Sequence, residues 1–169
     1  TSFARKLYYG FNHTRLLAKS VAKRTGLPLL NVLRQIGRKK KQHVLRASLR
    51  AANVLGIYGV SGDVKGKTCI LVDDMVDTAG SLTEGARALK KFGAKDIYAC
   101  CTHPILTDPA LSRIAQSDIT ELVVTNTIPL APSKKHPKIK VLSIAPILAE
   151  TILRIYNDWS VSQLFDVKK

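Results

Sequence analysis

Hydrophobic positions along the chain alternate between a helical period and short solid runs. Leu16, Leu17, Val21 and Ala22 recur at helical spacing behind Asn12, a candidate N-cap, and the pattern stops at Thr25-Gly26 with Pro28 just beyond. Leu29 to Leu33 reads as a strand, Arg34 to Gln42 as a loop around Gly37, Arg46 to Ala52 as a helix, and Val54 to Tyr58 as an edge strand before a turn over Gly59 to Asp63. Cys69 to Val72 is apolar or β-branched on both parities, which predicts a strand buried on both faces and so a parallel sheet. The remaining expectations are a helix from Leu82 to Phe92 closed by Gly93, a strand from Asp96 to Cys101 and a helix from Pro109 to Ala115. Strands over Glu121 to Thr125 and Ile139 to Leu142 and a helix from Ala145 to Tyr156 complete the series. Helices and strands take turns, the pattern of an α/β protein with a mainly parallel, twisted sheet flanked by helices. The 169 residues suit one domain, 1–169, with a front part (1–61) and a second part (62–169).

Charge divides these two parts. The first 62 residues carry thirteen Lys and Arg and no acidic residue, whereas the other fourteen cations share the chain with all twelve Asp and Glu, so the net +15 is concentrated at the front. A one-sign field of this kind attracts polyanions, and Arg34, Arg38, Lys39, Lys40, Lys41, Arg46 and Arg50 are candidates for contact with RNA or a ribonucleoprotein. The competing reading is a solvated, phosphate-attracting cleft.

Cys69, Cys100 and Cys101 sit in apolar runs without the spacing of a zinc site, and His13, His43 and His136 have no mutual spacing that suggests a metal. They read as buried thiols in a reducing compartment, cytoplasm or organellar matrix. The sequence has no apolar run of transmembrane length, which predicts a soluble protein without membrane contact. The chain begins Thr1-Ser2-Phe3 rather than with Met, as a trimmed chain would, with a lost piece expected upstream.

Chemistry concentrates in Ile70-Leu71-Val72-Asp73-Asp74-Met75-Val76-Asp77-Thr78-Ala79-Gly80-Ser81. The strand ends on paired carboxylates, at the sheet edge where open α/β folds bind ligands. The small residues that follow let the backbone approach an anion, and Ser81 with Glu84 forms a candidate capping box for a helix whose positive end favours phosphate.

In order and spacing this stretch resembles the phosphoribosyl-diphosphate (PRPP) loop of type I phosphoribosyltransferases. The resemblance implies that fold, with the first strand abbreviated to Arg5–Phe11, and assigns Asp73 and Asp74 to the ribose hydroxyls and Asp77, Thr78, Ala79, Gly80 and Ser81 to the 5-phosphate. Gly10-Phe11-Asn12, Gly26-Leu27-Pro28, Gln42 and Asn53-Val54-Leu55-Gly56 resemble the ComF-like branch, in which Lys39, Lys40 and Lys41 would lie on a mobile loop above pyrophosphate. Residues 62–166 resemble the carboxyl-terminal half of ribose-phosphate diphosphokinases, through the loop, Cys101-Thr102-His103-Pro104, Val123 to Pro129, Lys138 to Ser143, Leu148-Ala149-Glu150 and Ser160 to Phe165. That family's separate amino-terminal domain has no counterpart in 169 residues, so autonomous PRPP synthesis is not expected.

The resemblance further implies Mg²⁺ held mainly through the ligand, without a firm protein ligand. By its position after the Asp96–Cys101 strand, His103 is a candidate at the ligand edge, against a structural turn histidine before Pro104. Trp159 and Phe165 are candidate packing or interface residues of a homo- or hetero-oligomer. Three functions fit: a Mg²⁺-dependent phosphoribosyltransferase binding PRPP or ribose 5-phosphate, a noncatalytic partner of a PRPP synthetase, and a phosphoribosyltransferase fold recruited to RNA as a ribosomal or mitochondrial ribonucleoprotein component. No residue identifies an acceptor base.

Overall fold

A computed structural model describes residues 13–36 and 58–165. Helix α1 (His13–Thr25) is followed by strands β1 (Leu33–Gln35) and β2 (Tyr58–Val60), β3 (Cys69–Val76), α2 (Gly80–Lys91) and β4 (Ile97–Pro104). Next come α3 (Ala110–Gln116), β5 (Glu121–Thr125), a 3-10 turn (Pro132–Lys134), β6 (Ile139–Leu142), α4 (Ala145–Tyr156) and a second 3-10 turn (Ser162–Leu164). Strands β3, β4, β5 and β6 lie side by side in that order, all parallel, and β1 pairs antiparallel with β2 as a separate ribbon. The parallel α/β architecture is therefore as the alternation of elements predicts.

The core forms where one face of the sheet meets α2 and α3. Ile97, Ala99 and Cys101 of β4 and Leu122 and Val124 of β5 alternate inward, and Leu82, Ala86 and Leu89 of α2 with Ile114 of α3 close over them. Removing these side chains from water is the main driving force for assembly, about 25 cal/mol per Å² of apolar surface. At Gly85, α2 meets β1 and β3, where a Cβ would stand in ordinary van der Waals contact, 3.5 Å from Leu33 Cδ1 and 3.8 Å from Leu71 Cδ1. Lys138 ties β6 to α3, its Nζ donating to the carbonyls of Ile114 (3.4 Å), Ala115 (3.2 Å) and Ser117 (2.8 Å).

The second face of β3 departs from the expectation of two-sided burial. Ile70 is 44% exposed and its ladder neighbour Tyr98 is 37% exposed. On β3 the solid apolar run marks a strand whose second face is only half covered. Helix α4 is apolar on its surface as well: Ile147, Leu148, Ile152, Leu153 and Tyr156 are exposed, as are Trp159 and Phe165. Arg154 steadies the segment after it, donating to Glu150 Oε1 (2.8 Å), the Ser160 carbonyl (2.9 Å) and Gln163 Oε1 (3.2 Å).

Boundaries bear out one expectation and correct others. Helix α1 stops at Thr25 with Gly26 at φ 72°, the left-handed stop that glycine supplies. The strand expected over Leu29–Leu33 forms instead over Leu33–Gln35, because Leu33 is the first residue in register with β2, opposite Val60. That pairing also carries β2 through Gly59 and Val60, where a turn is expected. The Arg46–Ala52 helix and residues 54–57 of the edge strand lie outside the described residues, as do Gly10–Asn12, Gln42 and Asn53–Gly56 of the ComF-like matches. Strand β4 runs three residues past Cys101, because the parallel ladder continues through Met75 opposite His103 and Val76 opposite Pro104. No helix among the described residues is long and apolar enough to cross a membrane.

Candidate functional site

The paired carboxylates lie within the last half of β3. Asp73 sits opposite Cys101 of β4, and β3 continues to Val76 before the chain leaves the sheet. Each carboxylate accepts the amide of the next residue, Asp74 N to Asp73 Oδ1 and Met75 N to Asp74 Oδ1, both at 3.0 Å. Burial pushes the Asp73 carboxyl up to about 6, and its contact with the Asp74 carboxyl and that group's charge add to the rise. The same burial, with the charge of Asp73 close by, pushes the Cys101 thiol up to about 12. Burial also raises the thiols of Cys100 and Cys69.

Asp77 to Ala79 form the turn out of β3. Ala79 is 4% exposed and holds φ 57°, ψ 4°, a left-handed conformation that costs a non-glycine residue about 1–2 kcal/mol. The turn delivers the chain into α2 at Gly80, and Ala79, rather than Ser81, is the N-cap. This corrects the expected capping box. With the helix begun two residues earlier, Ser81 falls in its first turn, and Glu84 pairs with Arg87 at 2.8 Å. The first intrahelical bond runs from Thr83 N to Ala79 O (3.0 Å), so the amides ahead of Thr83 belong to the helix's positive end.

Two supports reach this loop from the segment after β4. Thr107 Oγ1 donates to Asp77 Oδ1, and Arg113 of α3 donates through Nη1 to the Thr78 carbonyl at 2.8 Å. Leu106 N donates to the Val76 carbonyl at 3.0 Å, fastening the same two segments. A third support comes from the front of the chain: the Tyr58 phenol in β2 is hydrogen-bonded to the Ser81 hydroxyl and lies near enough to Asp73 to sense its charge. Neither Arg113 nor Tyr58 carries a local sequence signal, since each reaches the loop only through the fold.

His103 lies inside β4, not after it, and its Nδ1 is 3.0 Å from Thr127 Oγ1. Thr125 and Thr127 both donate to the Thr102 carbonyl, at 2.7 and 2.8 Å, and Asn126 accepts the Ile144 amide at 2.8 Å, so this turn is spent on structure. Asp73, Asp74 and the Asp77–Ser81 loop form one continuous sheet edge. Arg34 is exposed in β1, while Arg38, Lys39, Lys40, Lys41, Arg46 and Arg50 lie outside the described residues. A shallow apolar depression lined by Leu130, Pro137, Ile139 and Val141 holds none of the loop residues. Among the described residues no three His, Cys, Asp or Glu side chains converge as a metal cage.

Comparison with known proteins agrees with this geometry. Residues 42–166 match the family model of the phosphoribosyl synthetase-associated domain. The chain belongs to this family. Ribose-phosphate pyrophosphokinase of Clostridium tetani is 57% identical over 114 residues, covering 68% of this chain and 36% of the relative. The corresponding protein of Gloeobacter violaceus is 48% identical over 116 residues, covering 69% and 35%. The crystal structure of phosphoribosylpyrophosphate synthetase from Mycobacterium smegmatis superposes with a TM-score of 0.58 at 48% identity, over 60% of this chain and 34% of that one. The fold is thus of the type I phosphoribosyltransferase kind. The chain spans about a third of the length of these relatives.

Proposed function

We propose that the Asp73–Ser81 edge binds the ribose 5-phosphate portion of PRPP, or ribose 5-phosphate itself, as the sugar-phosphate half of a phosphoribosyl-transfer site. The observation that carries this reading is the junction of β3 and α2. A carboxylate pair stands in the last half of the strand, and after Val76 a left-handed turn at Ala79 leads directly into a helix start. Asp73 and Asp74 offer acceptors for the ribose hydroxyls, and the loop amides with the helix end offer donors and positive potential for the phosphate.

Asp77 takes part as the loop's anchor through Thr107, and Thr78 through its carbonyl on Arg113. In phosphoribosyl transfer the bond from ribose C1 to the leaving pyrophosphate breaks, with the electron pair departing on the pyrophosphate. The protein's contribution is to hold the sugar still and compensate charge. Lys39, Lys40 and Lys41 supply that compensation in this reading.

Mg²⁺ fits the donor set in a limited way. Two adjacent carboxylates are hard oxygen donors of the kind the ion takes, but fewer than a protein cage needs, so Asp73 and Asp74 would share it with ligand oxygens. When bound, the ion supplies charge neutralisation at the pyrophosphate.

Calorimetric titration with ribose 5-phosphate and with PRPP, with and without Mg²⁺, tests the reading. The intact chain should bind both, and Asp73→Asn with Asp74→Asn should weaken binding at least tenfold, about 1.4 kcal/mol. Absence of binding by the intact chain rejects the reading.

A further inference from the structure

A single peptide plane between β4 and α3 is held from both ends. The Leu106 amide donates to the Val76 carbonyl at 3.0 Å, and the carbonyl at the other end of the same plane, that of Ile105, accepts from Lys134 Nζ at 3.0 Å. A peptide unit is rigid, so two bonds at its opposite ends set its orientation. The Leu106 side chain is fixed independently, 1% exposed within the core. Between the fixed plane and the fixed side chain lies the N–Cα bond of Leu106, and its φ is 48°. A left-handed backbone is disfavoured for a bulky side chain and persists only where its surroundings impose it. The next residue is Thr107, whose hydroxyl donates to Asp77 in the turn ahead of α2.

We propose that Lys134 is a positioning residue of the phosphate loop: by holding the Ile105 carbonyl it fixes the peptide that turns Thr107 onto Asp77, and through Asp77 it fixes the shape in which the loop meets its ligand. Lys134 reaches Ile105 across 29 positions of sequence from the turn Pro132–Lys134, which is itself closed by Lys134 N on the Ala131 carbonyl at 2.8 Å. Its donor is charged, so the bond is of the stronger kind. The bond from Leu106 N ties the plane to β3, and the bond from Lys134 ties it to the connection between β5 and β6. Without the ammonium the Ile105 carbonyl turns towards water, the plane rotates and Leu106 leaves the left-handed region. Thr107 then loses its line to Asp77. The inference rests on the ribose-phosphate reading above and adds to that loop a support that begins beyond β5.

A double-mutant cycle on the full chain tests it, with ribose 5-phosphate as titrant. Lys134→Met keeps the length of the side chain and removes the donor; it should weaken binding about fivefold, the worth of one net hydrogen bond. In a Thr107→Val background, which lacks the hydroxyl on Asp77, the same substitution should cost less than about twofold, because the route from Lys134 to the loop is already cut. Unchanged affinity in Lys134→Met, or a loss of about twofold or more beside Thr107→Val, overturns the proposal. Hydrogen exchange without ligand separates a local role from a general one. In Lys134→Met the Leu106 and Thr78–Ser81 amides should exchange faster while the β5 amides keep their rate. Equal acceleration in β5 marks a general loss of stability and overturns the proposal as well. If the local pattern appears but the intact chain binds no ribose 5-phosphate, the ribose-phosphate reading fails and this role with it. If the intact chain binds and the local pattern is absent, this proposal fails alone.

Discussion

Arg113 Nη1 donates to the carbonyl of Thr78 at 2.8 Å, across 35 positions of sequence, and so braces the middle of the loop that joins β3 to α2. The left-handed turn at Ala79 is adjacent, and a strained backbone persists only where its surroundings hold it. Arg113, with Thr107 on Asp77, supplies that hold from one side.

Arg113→Met should therefore act on the loop before it acts on the fold. Hydrogen bonds from charged groups are worth about 1.5–3 kcal/mol, and the loss should divide between a lower melting temperature and weaker ribose 5-phosphate binding. Hydrogen exchange at the Thr78–Ser81 amides provides the local readout: faster exchange there, with the β4 and β5 amides less affected, is the expected pattern. Arg113→Lys should recover only part of the loss, since a point charge does not reproduce the guanidinium fork.

Lys138 performs a comparable task at the end of α3, where its ammonium is shared by the carbonyls of Ile114, Ala115 and Ser117. A cation at a helix C-terminus satisfies acceptors that the helix leaves open. Lys138→Met should lower stability by about 1–3 kcal/mol in urea unfolding, with a smaller loss of ribose 5-phosphate affinity than Arg113→Met, because Lys138 bonds the end of α3 while Arg113 bonds the loop itself.

What the sequence made legible was whatever depends on neighbours in the chain. Glu121–Thr125, Ile139–Leu142 and Ala145–Tyr156 form as read, because apolar periodicity and flanking breakers determine them locally. The acidic pair and the small-residue loop could be read for the same reason. Ladder pairing was not legible: it carries β4 through His103 and starts β1 only at Leu33, and no residue announces its partner across the sheet. Ser81 as N-cap failed similarly. The pattern Ser-x-x-Glu is locally good, but the left-handed turn at Ala79, held by Arg113 and Thr107 from afar, starts the helix at Gly80. Arg113 and Tyr58 could be found only once the fold had brought them to the loop.

Cysteine reactivity gives a check on packing beside the site. Cys101 faces the core at 5% exposure, and burial with the Asp73 charge pushes its thiol up to about 12, so little thiolate exists at neutral pH. In the folded chain at pH 7.5, Cys101 should be alkylated by iodoacetamide at least a hundredfold more slowly than in the urea-unfolded chain, as read by mass spectrometry of the digested protein. Asp73→Asn removes the charge that helps to raise it and should narrow the gap, with burial still keeping the thiol slow.

Asp73 also sets a pH dependence with a defined sign. Its folded value of about 6 lies above the ordinary 3.8, so the folded state binds the proton more tightly than the unfolded chain does. The stability contributed by this preference is fully present below pH 3.8 and is lost as pH rises through about 6. Asp73→Asn should consequently be more stable than the parent at pH 7.5, and the advantage should shrink to nothing near pH 4 in urea unfolding. Binding should run the other way. If the carboxylate accepts a ribose hydroxyl, affinity for ribose 5-phosphate falls as Asp73 is protonated, approaching tenfold per pH unit below 6. The ligand's own phosphate titrates near pH ~6, so Asp73→Asn serves as the reference that retains only that phosphate's share. Parallel pH profiles for parent and Asp73→Asn would remove Asp73 from the ribose contact, whereas a steeper fall in the parent between pH 6.5 and 5 is the result expected of a carboxylate that stabilises its ligand at the expense of its fold.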